Sequence, residues 1–167
     1  MCAFPEGHPY ARITAVPGLG HRPELWLLGS SDYSAHAAGV LGLPFSFAHH
    51  FAAANTLPAV QVYRAAFRPS DDLAEPYLML GVSVVCAETD EQARWLAGPG
   101  RLAFLRLPTV RARLAELAER TGADELIVTT LTHATTDRLA SYRLVAGVAG
   151  LDRAGRDDAV ALTDATT

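Results

Sequence analysis

The chain contains no lysine; all 14 of its basic side chains are arginine. That absence removes Schiff-base catalysis and the lysine of a phosphate-binding P-loop from the chemistry open to it. Cysteine is nearly absent too: Cys2 and Cys86 are too few for a disulfide framework and lie in no metal-type spacing. The expectation is a reducing, cytoplasmic setting. No apolar stretch reaches the roughly 18 residues of a membrane span, and Met1-Cys2-Ala3-Phe4-Pro5-Glu6 has neither the basic start nor the apolar run of a signal peptide. A formal charge of -4, with no basic run interleaved with aromatics, argues against nucleic-acid or anionic-membrane partners.

What the chain does have is apolar bulk. Of its 167 residues 50% are hydrophobic, enough to bury one sizeable core. Four apolar runs alternate with helical patterns, the signature of βα units and a parallel sheet. Strands are predicted at Glu24-Leu28, Pro44-Ala48, Tyr77-Ala87 and Glu125-Leu131. The continuous runs Leu80-Val85 and Leu126-Thr129 suit strands covered on both faces. Between them, Ser34 to Leu41 reads as a helix closed by Gly42, and Leu57 to Phe67 as a second ending before Pro69. Thr89-Asp90-Glu91-Gln92 is a capping box opening a third helix through Leu96. Val110, Leu114 and Leu117 place a fourth over Thr109 to Arg120, with Gly122 as its C-terminal cap. A fifth runs from Thr136 to Val145. Gly98 to Pro108 reads as a short helix beside the sheet, and Arg12-Ile13-Thr14-Ala15-Val16 as a short extra strand. After Gly150 the composition turns small, polar and acidic, dividing a domain over 1–150 from a flexible tail over 151–167.

The first strand runs through Gly29 into Ser30, Ser31, Asp32, Tyr33 and Ser34. Hydroxyls and free N–H groups at a helix start form an anion site; the same serines are also ordinary N-caps, and both readings stand. Asp32 opposes an anion unless its carboxylate points away. His49 and His50 follow the second strand, where adjacent residues point to opposite faces, so one faces inward and one outward. His50 is the candidate for catalysis in a pocket. His133, with Thr132, follows the fourth strand. Cys86, late in an apolar run, reads as a small buried hydrophobe. Arg101, Arg106, Arg111 and Arg113 form a positive cluster that reads as a solvated helix face, and Asp71-Asp72 as a turn. No zinc, P-loop or Ser-His-Asp spacing is present.

Several strings occur in one order: Trp26-Leu27-Leu28-Gly29-Ser30-Ser31, Ser34-Ala35, Leu41-Gly42-Leu43-Pro44-Phe45, Phe47-Ala48-His49-His50-Phe51, Tyr63-Arg64-Ala65-Ala66-Phe67-Arg68-Pro69-Ser70 and Thr121-Gly122-Ala123-Asp124-Glu125-Leu126. Together they resemble the bacterial luciferase-like, flavin-dependent monooxygenase family from about Arg12 to Ala146. Members of that family are (β/α)8 barrels, which take roughly 250 residues. The resemblance therefore implies an α/β fold matching the C-terminal half of the barrel, a partial (half) TIM barrel of four βα units with parallel strands. It also implies an FMN-dependent oxidoreductase, a monooxygenase in which reduced flavin and oxygen oxidise a small organic substrate. Ser30, Ser31 and Ser34, with the N–H groups around Asp32 and Tyr33, match the loop that holds the FMN phosphate, and His50 matches a histidine common in a subgroup. No metal is implied. The alternative is a non-catalytic FMN- or phosphate-binding half-barrel, a partner subunit, or a truncated or decayed copy.

Four parallel strands cannot close a barrel, and the first and last would present unpaired edges. A homodimer, or another partner completing the barrel, is the expected remedy. An open four-stranded sheet with helices on both sides is the other arrangement.

Overall fold

A computed structural model of the chain describes residues 7–13, 23–97, 103–104 and 107–151. Strand β1 (Leu27–Gly29), helix α1 (Asp32–Leu41) and strand β2 (Phe45–Phe47) are followed by a 3-10 turn at Ala53–Asn55, helix α2 (Thr56–Ala66) and strand β3 (Leu78–Val85). Helix α3 (Asp90–Ala97), strand β4 (Ala103–Phe104), helix α4 (Leu107–Thr121), strand β5 (Glu125–Thr129) and helix α5 (Thr135–Ala149) complete the order. Among the described residues every pairing is parallel: β1 with β2, β2 with the start of β3, β5 with Met79 to Ser83 of β3, and β4 with Val84 and Val85 of β3. The row β1-β2-β3-β5 with its following helices is a partial (β/α)8 barrel. No helix among the described residues is long and apolar enough to cross a membrane.

Strand periodicity sorts the side chains onto two faces. Leu27, Phe45, Leu78, Phe47, Leu80 and Leu126 turn to the helix side, where they pack with Ala35 and Ala38 of α1 and Ala59, Val60 and Tyr63 of α2. Farther along the sheet, Val82, Val84 and Val128 meet Val110 and Leu114 of α4 and Val145 of α5. The opposite, inner face carries Leu28, Ser46, Met79, Gly81, Ser83, Ile127 and Thr129. Both helix clusters lie on one side, so the expected coverage of both faces holds only for the central strands. β2 and β3 are buried along most of their length, whereas Leu28 is 69% exposed and Ile127 50%, because among the described residues β1 and β5 have one neighbour each.

Local chemistry sets the element ends. Helix α1 stops at Gly42, whose φ of 62° is in the left-handed region, and the Leu43 N–H closes the turn on Ala38 O at 3.0 Å. Tyr63, fully buried, ties α2 to two strand starts. Its hydroxyl accepts the Tyr77 N–H at 3.1 Å and lies 3.0 Å from Leu43 O and 3.2 Å from Tyr77 O, and burial pushes its pKa up. The Thr89 hydroxyl accepts the Gln92 N–H at 3.2 Å, which is half of the expected capping box.

Two expectations are corrected. Within Gly98 to Pro108, Ala103–Phe104 form a strand paired with Val84 and Val85, and Leu107 and Pro108 already belong to α4; a two-residue strand has no periodicity to read, and proline is tolerated in a first helical turn. Arg12 and Ile13 lie in a turn, with the Ile13 N–H on Tyr10 O at 2.9 Å, while 14–16 lie outside the described residues. The expected tail also falls outside them beyond Leu151.

Tyr63→Phe strands the Tyr77 N–H and removes the only donor shared by the two carbonyls. We expect a loss of about 1–3 kcal/mol, read as a lower urea midpoint by far-UV circular dichroism. An unchanged midpoint would show that the tie contributes nothing.

Candidate functional site

Because all strands are parallel, one edge of the sheet collects their C-terminal ends and the helix starts that follow. Neighbouring ends are tied in series: the Ala48 N–H donates to Gly29 O at 2.8 Å and the His50 N–H to Gly81 O at 3.1 Å.

The turn after β1 is a capping box. Ser31 is the N-cap of α1, its Oγ accepting the Ser34 N–H at 3.3 Å while Ser34 Oγ accepts the Ser31 N–H at 3.3 Å. Ser34 also donates its one hydroxyl proton to Ser31 O at 2.7 Å, which leaves none for a ligand. The Ser31 Oγ, 3.2 Å from Ser34 Oγ, keeps a proton that can turn outward, and Ser30 is half-buried just before it. Asp32 and Tyr33 open the helix, so their N–H groups have no carbonyl one turn back. The Asp32 carboxylate accepts from Asn55 Nδ2 at 3.0 Å, which draws it toward the start of α2. The Tyr33 side chain is 84% exposed. A phosphate-like dianion fits this donor set: two backbone N–H groups and the hydroxyls of Ser30 and Ser31.

The two histidines part to opposite sides. His49 Nδ1 lies 2.7 Å from Oγ1 of the buried Thr56, at the start of α2. Burial first, and then the charge of His50, hold its pKa below the usual 6.5. His50 turns inward and places Nδ1 2.8 Å from Gly81 O. A carbonyl only accepts, so Nδ1 carries the proton and the neutral ring keeps a bare Nε2. The imidazole lies over Gly81, where a Cβ would stand 3.2 Å from its Cε1 and Nδ1, and it packs on Phe51 with ring centroids 4.2 Å apart. Ser83 follows Gly81 on the same face, and its Oγ is buried with no hydrogen-bond partner among the described residues. Gly81 and Ser83 were missed from sequence; small or polar residues at alternate positions in an apolar strand were the available signal.

The other candidates do not join this group. Thr132 is buried and His133 exposed beyond β5, with Thr132 Oγ1 3.4 Å from Ala134 O. Thr130, just before them, bonds Val84 O through its hydroxyl and ties β5 to β3. Cys86 is buried, its N–H on Ser141 Oγ at 2.9 Å and its thiol pKa pushed up by burial, which makes it unreactive. Arg111 and Arg113 are exposed on α4, while Arg101 and Arg106 lie outside the described residues. Asp71 and Asp72 sit in a turn centred on Ser70, whose Oγ accepts the Asp72 and Leu73 N–H groups at 3.2 Å. Among the described residues no group of side chains could hold a metal ion.

The fold, with polar groups at the strand C-termini, is that of part of a (β/α)8 barrel. No family model matches the chain. The Bacillus subtilis protein YvbT is 36% identical over 86% of this chain and 54% of its own length. A luciferase-like monooxygenase of Escherichia coli K12 is 40% identical over 62% of the chain and 31% of its own length. The apo crystal structure of MsnO8 superposes with a TM-score of 0.78 at 34% identity, covering 87% of this chain and 56% of that one. The monooxygenase RslO1 of Streptomyces bottropensis, at 15% identity and a TM-score of 0.59, shares the fold. The chain is a partial-length relative of the luciferase-like monooxygenases, spanning about half the length of YvbT and MsnO8.

Two outcomes follow from the histidines. Nitrogen-15 NMR should show neutral His50 as the Nδ1–H form, and Gly81→Ala should return it toward a mixture by displacing the ring; a wild-type Nε2–H form would contradict the geometry. His49 has a folded pKa below its unfolded one, so the unfolded chain binds the extra proton. Its contribution is complete above about pH 6.5 and is lost as pH falls below that value. The urea midpoint of His49→Gln should therefore fall less steeply than wild type between pH 7 and 5.

Proposed function

We propose that the chain binds FMN by its phosphate at the β1–α1 turn and works as the cofactor-holding part of a luciferase-like, flavin-dependent monooxygenase acting on a small organic substrate. The observation that carries this reading is the paired donor set of that turn, with the Ser30 and Ser31 hydroxyls beside the first N–H groups of α1. Sequence similarity to a luciferase-like monooxygenase supports the choice of anion. Reduced FMN would supply the electrons for reaction with oxygen. The chain's own residues anchor the phosphate, hold Asp32 aside through Asn55, and present His50 Nε2 as a proton acceptor on the inner face. At this turn hydroxyls, amides and the helix dipole hold the dianion.

A second reading uses the same donor set at the β1–α1 turn without the redox step. It is a non-catalytic FMN- or phosphate-binding half-barrel or a partner subunit. Consumption of a test aldehyde with reduced FMN and oxygen separates enzyme from binder.

Parallel titrations with FMN and riboflavin test the phosphate grip. Wild type should bind FMN at least about tenfold tighter than riboflavin, because a hydrogen bond to a charged group contributes about 1.5–3 kcal/mol. Ser30→Ala should weaken FMN by about tenfold while leaving riboflavin unchanged. Absence of FMN binding at hundreds of micromolar sinks the flavin reading.

A further inference from the structure

The helix side of the sheet is not filled evenly. Between α4, α5 and β5 lies a cavity of about 550 Å³, floored by Leu126 and Val128 of the strand. Helix α4 leads into β5 and α5 leads away from it, so both run from the C-terminal edge of the sheet to the N-terminal edge and lie parallel to each other. Their facing positions carry alanine where larger side chains would close the gap: Ala115 and Ala118 on α4, Ala146 and Ala149 on α5. Val145 shares a buried cluster with Val82 and Val84, which sets α5 over paired strands and not over an unpaired edge. Protein interiors otherwise pack to near crystal density, and an apolar space of this kind stays dry and accepts apolar guests. Its volume is that of a small-molecule site.

The polar groups of the lining gather at one end. Parallel helices bring Arg111, near the start of α4, level with Tyr142 in the first half of α5. The Tyr142 hydroxyl accepts the Thr130 N–H at 3.2 Å, and its own proton has no acceptor among the described residues. Arg111 is exposed and has no carboxylate partner among the described residues, whereas Arg120 of the same helix pairs with Glu116 at 3.6 Å. The opposite end, at Ala118, Ala149 and Leu151, is apolar.

We infer that this cavity binds a medium-chain alkyl carboxylate, with the alkyl chain between α4 and α5 and the carboxylate at Arg111 and Tyr142. A carboxylate accepts from both donors, the fork of the guanidinium and the phenol O–H. A neutral hydrocarbon leaves the guanidinium unmatched, and a dianion brings more charge than the single cation of the lining can meet. From Arg111 to Ala118 the helix rises about 10 Å, which limits the buried chain to medium length. The site lies across the sheet from His50 and is independent of the flavin reading above.

Calorimetric titration with hexanoate, octanoate and decanoate, each below its micelle concentration, tests it. Affinity should rise about fourfold for each added methylene. Arg111→Gln should weaken decanoate at least about threefold and leave decanol unchanged. Ala146→Phe fills the slot, so decanoate binding should be lost while the urea midpoint is kept or raised. Should that variant fail to fold, Ala118→Leu decides: by shortening the apolar end it should cancel the gain from octanoate to decanoate. Absence of decanoate binding at millimolar concentration overturns the proposal, as does an affinity that is flat along the series. So does binding that survives Ala146→Phe, which would put the acid on another apolar surface, or an equal loss of decanoate and decanol in Arg111→Gln. Binding that begins only once residues 152–167 are removed overturns it too, because the slot would then belong to that segment.

Discussion

The register of β3 is the constraint on which the rest of this molecule depends. It pairs with β2, β4 and β5, more strands than any other described strand, and its start is pinned from three directions. The Leu78 N–H donates to Asp124 Oδ2 at 2.7 Å and the Asp124 N–H returns to Leu78 O at 2.9 Å. One residue earlier, Tyr77 is held through both backbone groups by the phenol of α2 and the Phe45 N–H. A slip of one residue would exchange the faces of the whole strand. Leu78, Leu80, Val82 and Val84 would leave the helices, and Gly81 would no longer lie beneath His50.

That dependence explains what could be read in the sequence and what could not. The order of βα units, the strand positions and the helix starts were legible, because apolar runs and caps act within a few residues. Ser31 and Gly42 each mark a boundary with their own chemistry. The sidedness of the sheet was not legible. In β2 and β3 both faces are apolar or small, so periodicity is blurred where it mattered most. Strand β4 was hidden by its length. The setting of His50 depends on a carbonyl 31 positions away, and that of Asp32 on an asparagine 23 positions away. No local pattern carries such pairings.

At the β1–α1 turn, capping and anion binding need not compete. Ser34 is committed to the cap in both directions, and Ser31 accepts for the cap while keeping its proton. The fold thus uses the acceptor side of Ser31 and leaves its donor side to the solvent or a ligand. Asp32 has a parallel double role: its charge suits the positive end of α1, while its carboxylate accepts from Asn55 at the start of α2. The same turn both starts the helix and keeps hydroxyl protons free, so a bound anion would need little rearrangement of the backbone.

The two side-chain clusters divide β3 between them. Leu78 and Leu80 belong with α1 and α2, Val82 and Val84 with α4 and α5, and Leu117 of α4 touches both groups. Local opening of either cluster therefore uncovers one end of the strand while the other end keeps its packing. Stability in such a molecule is graded along a single strand rather than divided between separate lobes. The midpoint of the gradient falls at Gly81, the residue that carries no side chain to either cluster and supports the ring of His50 instead.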